Sequence, residues 1–158
     1  MRADYINPFI TAATNVYSTR LSCSLERGAP SIKDGFCPEF EVSGIIEMTG
    51  NAEGTVVFSL SRTAAIGAAA ALLDEDPKAF TQLNNDVLDA IGELTNLIAG
   101  DAKGQLDKLS LSIGSPNVIC GKNHSVSFPK DATPISIPFD SKWGPIAIDV
   151  GLIDAPAG

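Results

Sequence analysis

Two strand-like runs in distant parts of the chain share one pattern, G-x-V-x-F-x-L at residues 54–60 and G-x-I-x-I-x-V at residues 144–150. Each closes a series that reads helix, loop, strand, strand, so the same order of elements occurs twice. Alternation within a run lays one row of apolar side chains on one face. An apolar partner run across a Gly-containing turn makes each pair an antiparallel hairpin. The first pair is residues 41–50 and 53–61, joined around Gly50, Asn51 and Gly54; the second is 134–140 and 144–153, joined across Ser141, Lys142, Trp143 and Gly144. This pseudo-duplication predicts an α+β fold, an antiparallel β-sheet with two long helices packed on it.

The first helix spans residues 3–21, with Ile6, Phe9, Ile10, Ala13, Val16 and Tyr17 inward and Asp4 as an acid near its start. Pro8 falls inside it, so either the proline occupies the first turn or the helix begins later. The Gly/Pro-rich stretch 28–38 reads as a loop with no assignable role. Residues 62–73, RTAAIGAAAALL, form a small-residue helix suited to close packing. A longer helix is expected from about residue 80 to 106, and residues 109–121 read as one strand interrupted at 114–116. Trp143, at a hairpin tip, is expected to cap the core.

At 158 residues the chain can bury one core, and residues 1–158 are read as a single domain. A formal charge of −8 argues against nucleic acid, whose phosphates need Lys and Arg on one face, and against anionic membrane surfaces. No apolar run approaches the ~20 residues that cross a bilayer. Asp4, Asn7 and Asn15 stand where a signal peptide is apolar, so a cytoplasmic protein is expected. Cys23, Cys37 and Cys120 are an odd set without C-x-x-C, which indicates neither a disulfide framework nor a zinc site. Buried free thiols are expected, a Cys23–Cys37 bridge being the lesser alternative. The only histidine, His124, is expected at the surface of a loop; its neighbour Ser125 lacks the G-x-S-x-G setting of a nucleophile.

The long helix carries the chemistry. Within residues 86–104, DVLDAIGELTNLIAGDAKG, positions three and four apart share a face, which gathers Asp86, Asp89, Glu93 and Asn96 into one polar stripe. Leu83, Val87, Ala90, Ile91, Leu94 and Ile98 fall on a different arc, the buried one. A solvated face on any amphipathic helix looks the same, so spacing alone leaves a bland reading open. Gly92, beside the glutamate, costs ~1 kcal/mol in a helix relative to Ala and suggests a close approach there. The stripe holds no nucleophile. A carboxamide is able to hold a water through both acceptor and donors, and a carboxylate is able to grip a cation. The stripe therefore reads as a site that positions something else rather than one that attacks it.

The segment D-x-x-x-E-x-x-N, here Asp89, Glu93 and Asn96 within DAIGELTNLIAGDAKGQL, resembles the signature helix of the CheC/CheX/FliY class of chemotaxis phosphatases. CheX is the member it resembles most. RADYINPFITAATNV, VSGIIEMTG, GTVVFSLS and GSPNVICG stand in the expected order, so the resemblance covers most of the chain. Pro116 lies nearer to Asn96 than the proline that follows the family motif, a departure that concerns the helix-to-strand connection. With Asp4 aligned to Asp89, Pro8 falls opposite Glu93 and Thr11 opposite Asn96, so one site per chain is expected, as in CheX and unlike CheC.

The resemblance implies a protein aspartyl-phosphate phosphatase acting on a phosphorylated CheY-like response regulator in chemotaxis or another two-component signalling pathway. Asn96 would orient the attacking water and Glu93 would bind the regulator's active-site lysine; these two are the catalytic candidates. Asp86 and Asp89 would serve partner binding. The partner supplies Mg²⁺, so the chain needs no cofactor or metal of its own. A homodimer paired through edge strands is also implied. The alternative is a noncatalytic module that binds the response regulator through the same acidic stripe. A paired-carboxylate hydrolase fits poorly, because Asp89 and Glu93 sit one turn apart on one helix rather than across a cleft.

Overall fold

Alternating apolar residues in the two hairpins build the centre of the sheet. The computed structural model describes residues 3–155. In chain order these form α1 (Ala3–Leu21), β1 (Glu26–Arg27), β2 (Ser31–Ile32), β3 (Val42–Thr49), β4 (Ala52–Leu60), α2 (Arg62–Leu72), α3 (Asn85–Gln105), β5 (Ser112–Ile113), β6 (Asn117–Cys120), β7 (Ile135–Ser141) and β8 (Gly144–Asp154). The eight strands form one antiparallel sheet in the order β1-β7-β8-β4-β3-β5, with β2 also on β7 and β6 also on β3. The three helices and the sheet make an α+β fold, as expected. Among the described residues no helix is long and apolar enough to cross a membrane.

The duplication is visible in the register. Phe58 and Ile148 hold the same place in the two repeated runs, and they pair directly where β4 meets β8. A pseudo-twofold axis therefore passes through that pair and relates β3–β4 to β7–β8. Val56, Phe58 and Leu60 of β4 and Ile146, Ile148, Val150 and Leu152 of β8 form the floor of the core. Phe9, Ala13 and Tyr17 of α1 and Ile91, Leu94 and Ile98 of α3 cover it. Burying each large apolar side chain contributes about 1.5–3 kcal/mol.

Two expectations change at the helices. Pro8 lies within α1 and is buried, and the helix runs through it from Ala3; the proline only removes the amide that would reach Asp4. The long helix starts at Asn85 rather than residue 80, because the Asn84 side chain accepts from the Val87 amide at 3.0 Å and caps the first turn. Phe80 and Leu83 keep an apolar spacing because they pack against Ala69, Val87 and Ala90. They do so from an irregular segment. The residue 109–121 strand appears as β5 and β6, both on β3, separated by residues 114–116.

The back of the sheet, away from the helices, is covered by two long connections, and here the loop 28–38 finds its place. Ser31 and Ile32 pair with β7, and Lys33 Nζ reaches Asp149 Oδ2 at 3.4 Å. The Phe40 amide donates to Ser59 Oγ at 2.9 Å, and Val126 donates to the Phe36 carbonyl at 2.8 Å. His124 lies in the expected loop but is half-buried rather than free in solvent. Its Nδ1–H donates to the Gly121 carbonyl at 2.7 Å, and Nε2 meets buried Ser43 Oγ at 2.7 Å. The three cysteines are free, but only Cys23 is buried; Cys37 and Cys120 are exposed, so buried thiols describe one of three. Trp143 caps the core as expected. It tilts against Tyr17 at 6.5 Å between ring centroids and lies over Gly67, where a Cβ would sit 2.1 Å from its Cγ.

Candidate functional site on helix α3

An amphipathic helix of this length presents one face to the sheet and one to solvent, and α3 does so with its polar stripe intact. Val87, Ala90, Ile91, Leu94, Ile98 and Ala102 are buried, whereas Asp86, Asp89, Glu93 and Asn96 are all exposed. The structure thus places every expected site residue on one face of one element. None of the four side chains has a hydrogen bond or ion pair with any described residue. Each keeps its full capacity for an incoming partner. Asp86 lies in the first turn, where the helix dipole favours a carboxylate.

Asp89 and Glu93 form a ridge between two grooves. One, about 600 Å³, runs toward Leu73, Glu75, Ala79 and Phe80 and includes Asp86. The other, about 420 Å³, is bounded by Asn85, Leu88, Gly92, Pro116, Asn117 and Val118. The close approach expected at Gly92 is not one that excludes a side chain; its neighbours are β6 and the connection before it. A Cβ there would lie 3.4 Å from Val118 Cγ2 and 3.8 Å from Pro116 Cγ, ordinary contact distances. Pro116 therefore packs beside the signature turn despite its shorter distance in sequence from Asn96. Gly100 and Gly104 face open space and show no such contact.

Thr95 was not among the expected residues, yet it is the buried neighbour of Asn96, 1% exposed, with its Oγ1 donating to the Ile91 carbonyl at 2.7 Å. Gly44 of β3 lies against it. Sequence offers little signal for such a residue, because a threonine in a helix more often faces solvent. Among the described residues no three or more His, Cys, Asp or Glu side chains converge as a metal site would require. The exposed acid and amide present a carboxylate for a cation and a carboxamide for a water. They supply no nucleophile or leaving-group acid of their own.

The antiparallel sheet with helices packed on it is the fold of the CheC-like proteins. A CheC-like superfamily protein from Shewanella sp. PV-4 superposes with a TM-score of 0.85 and 31% identity, covering 97% of this chain and 99% of that one. The CheX–CheY–BeF₃–Mg²⁺ complex from Borrelia burgdorferi includes a chain that superposes with a TM-score of 0.79 and 26% identity, covering 97% of this chain and 100% of that one. The CheY-P phosphatase CheX of Thermotoga maritima is 27% identical over 125 residues, 78% of this chain and 79% of that protein. The profile of the family described as Chemotaxis phosphatase CheX matches residues 42–140, and the chain belongs to that family.

Proposed function

We propose that this chain is a protein aspartyl-phosphate phosphatase that dephosphorylates a CheY-like response regulator. The observation that carries the reading is the Asn96 carboxamide, exposed and without a partner among the described residues, one helical turn from a Glu93 carboxylate that is equally free among them. Asn96 holds a water in line with the phosphorus of the regulator's phospho-aspartate. The water oxygen bonds to phosphorus as the acyl P–O bond breaks, the regulator's carboxylate leaves, and the water's proton passes to the phosphate product or solvent. Glu93 grips the regulator's active-site lysine and fixes the helix in its cleft. Mg²⁺ belongs to the regulator and neutralises charge on the transferring group; this chain contributes no ligand to it. The Borrelia relative, solved with CheY, BeF₃ and Mg²⁺, supports this division of labour.

Asp86 and Asp89 extend the acidic ridge and steer the docking partner. The span 1–158 acts as one unit in the cytoplasm. It pairs as a homodimer through a sheet edge, for which the short strands β5 and β6 outside β3 leave backbone groups available. Phosphate release from purified phosphorylated regulator tests the assignment. Asn96→Ala lowers turnover by ~10² or more, as lost transition-state positioning groups do, with the fold unchanged because the side chain is exposed. Glu93→Ala chiefly raises KM. Unchanged turnover by the Asn96 variant overturns the catalytic role, and saturable binding of the regulator without any effect on phosphate lifetime marks a noncatalytic module instead.

A further inference from the structure

Gly44 interrupts the apolar row that β3 presents to α3. Val42, Ile46 and Met48 of that row are buried under the helices, and between Val42 and Ile46 the side chain is missing. Thr95 fills the gap. A Cβ built on Gly44 would lie 1.9 Å from Thr95 Oγ1, 2.9 Å from its Cβ and 3.1 Å from its Cγ2, so the threonine sits inside the volume a side chain at 44 would take. Its rotamer is fixed twice, by branching at Cβ and by the bond from Oγ1 to the Ile91 carbonyl at 2.7 Å.

The slot coincides with the working turn. At 100° per residue Thr95 points about a third of a turn away from the stripe formed by Asp89, Glu93 and Asn96, and it precedes Asn96 directly. A peg in the sheet at this level fixes both how high the turn stands above β3 and how it is rotated. The pseudo-twofold supplies an independent comparison. Gly44 pairs with Phe58, and Ile137 pairs with Ile148, so Ile137 occupies the place of Gly44 in the other half. With Asp4 matched to Asp89, Ile10 occupies the place of Thr95. Slot and peg are present only in the half that carries the acid and the amide.

We infer that Gly44 and Thr95 are positioning residues for the phosphatase reaction, a steric lock that sets the height and rotation of the Glu93–Asn96 turn. The inference rests on the function proposed above. It adds that the reaction depends on a contact made beneath the helix by groups that never touch the regulator. A misplacement of about 1 Å is able to cost ~10² in rate, while the hydrophobic contacts along the rest of α3 keep the fold.

The test is a set of paired variants. In Gly44→Ala, Thr95 Oγ1 must move from 1.9 Å toward the 3.4 Å of ordinary contact, so the turn shifts by about 1.5 Å. Turnover of phosphorylated regulator falls about 100-fold, with KM within about threefold of wild type. Adding Thr95→Ala leaves only the Cβ conflict at 2.9 Å and recovers at least about tenfold of the loss. Thr95→Ala alone leaves the slot loose and lowers kcat about tenfold, whereas Thr95→Val, which keeps the shape, restores it to within about threefold. These last two decide the matter if Gly44→Ala fails to fold. A crystal structure of Gly44→Ala, or of Thr95→Ala in that event, reads the position of Asn96 without any activity.

An unmoved turn, a double variant no better than Gly44→Ala, or Thr95→Val as slow as Thr95→Ala overturns the lock. Asn96→Ala in the same assay separates the two claims. If that variant turns over normally the proposed function fails, and the displacement in the crystal still decides whether the lock exists.

Discussion

Replacing Lys33 with methionine isolates what holds the long 28–38 segment on the back of the sheet. Lys33 Nζ and Asp149 Oδ2 are 3.4 Å apart, and the two side chains are 8% and 1% exposed. Asp149 Oδ1 has no partner among the described residues. Burial pushes the Asp149 carboxyl above its usual value, while a hydrogen bond from Ser136 and the Lys33 charge pull it back and Glu39 adds to the rise. An acid held above its unfolded value binds its proton more tightly when folded. Its stabilising contribution is therefore complete below the unfolded value and is lost as pH rises through the folded one.

Methionine keeps the apolar stem and removes the charge, leaving a sealed carboxylate alone. Breaking a buried pair in this way typically costs 3–5 kcal/mol. The carboxyl has an escape, because it is able to take a proton. Measured from the ordinary value of 3.8, protonation costs about 4.4 kcal/mol at pH 7 and about 1.6 kcal/mol at pH 5, at 1.36 kcal/mol per unit. Those are ceilings on the electrostatic loss, and the true loss lies below them because the wild-type carboxyl already stands above 3.8. Urea unfolding of Lys33→Met should show a loss of about 3 kcal/mol at pH 7 that shrinks below about 1.6 kcal/mol at pH 5, and adding Asp149→Asn should recover most of the pH 7 loss. An equal or larger loss at pH 5 refutes the reasoning, since it would mean that the carboxylate is not what the lysine compensates.

Two further outcomes follow from single groups. Asn84→Ala removes the cap of α3 and should cost ~1 kcal/mol, a fall in Tm of about 2–4 °C for a chain of this size in a thermal melt; an unchanged Tm would mean that the Val87 amide finds another acceptor. Tyr17 is fully buried, burial pushes its ionisation far up, and its hydroxyl has no hydrogen-bond partner among the described residues. Tyr17→Phe keeps the edge-to-face packing on Phe58 and should be neutral or stabilising by up to about 1 kcal/mol in urea unfolding, and a clear destabilisation would reveal a bound water or other partner for the hydroxyl.

How much of this was legible in the sequence depends on the range of each interaction. The stripe of Asp86, Asp89, Glu93 and Asn96 follows from helical spacing opposite a strong apolar arc, so both its existence and its exposure could be read. The hairpins were legible for the same reason, since alternation and turn residues are local signals. The start of α3 was not, because Phe80 and Leu83 keep a helical spacing while packing from an irregular segment. Segment 28–38 looked featureless because its partners are far away, on β7 and at Asp149. The partners of His124 were hidden likewise, since Ser43 lies far away in the sequence. Thr95 means little without Gly44, a residue of another element entirely.

The duplicated fold bears on why only one half carries the exposed acid and amide. A pseudo-twofold gives two helices and two pairs of strands equivalent surroundings, so the scaffold alone does not favour α3 over α1. The difference lies in which residues each half commits to packing. In α1 the place of Glu93 is taken by Pro8, which is buried and lacks both a charge and an amide, and the place of Asn96 by Thr11, which is exposed but carries only a hydroxyl. Beneath, Ile137 fills the sheet where Gly44 leaves it open. One half thus commits the places of Glu93 and Gly44 to ordinary core contacts, and the other gives up core volume at Gly44 to seat Thr95. A helix serving only to cover the sheet would gain more from an isoleucine at that point, by about the transfer energy of a large apolar side chain, than from a gap filled by a threonine. Retaining the gap under the acid and the amide makes physical sense when the orientation of that turn matters as much as the stability of the layer beneath it.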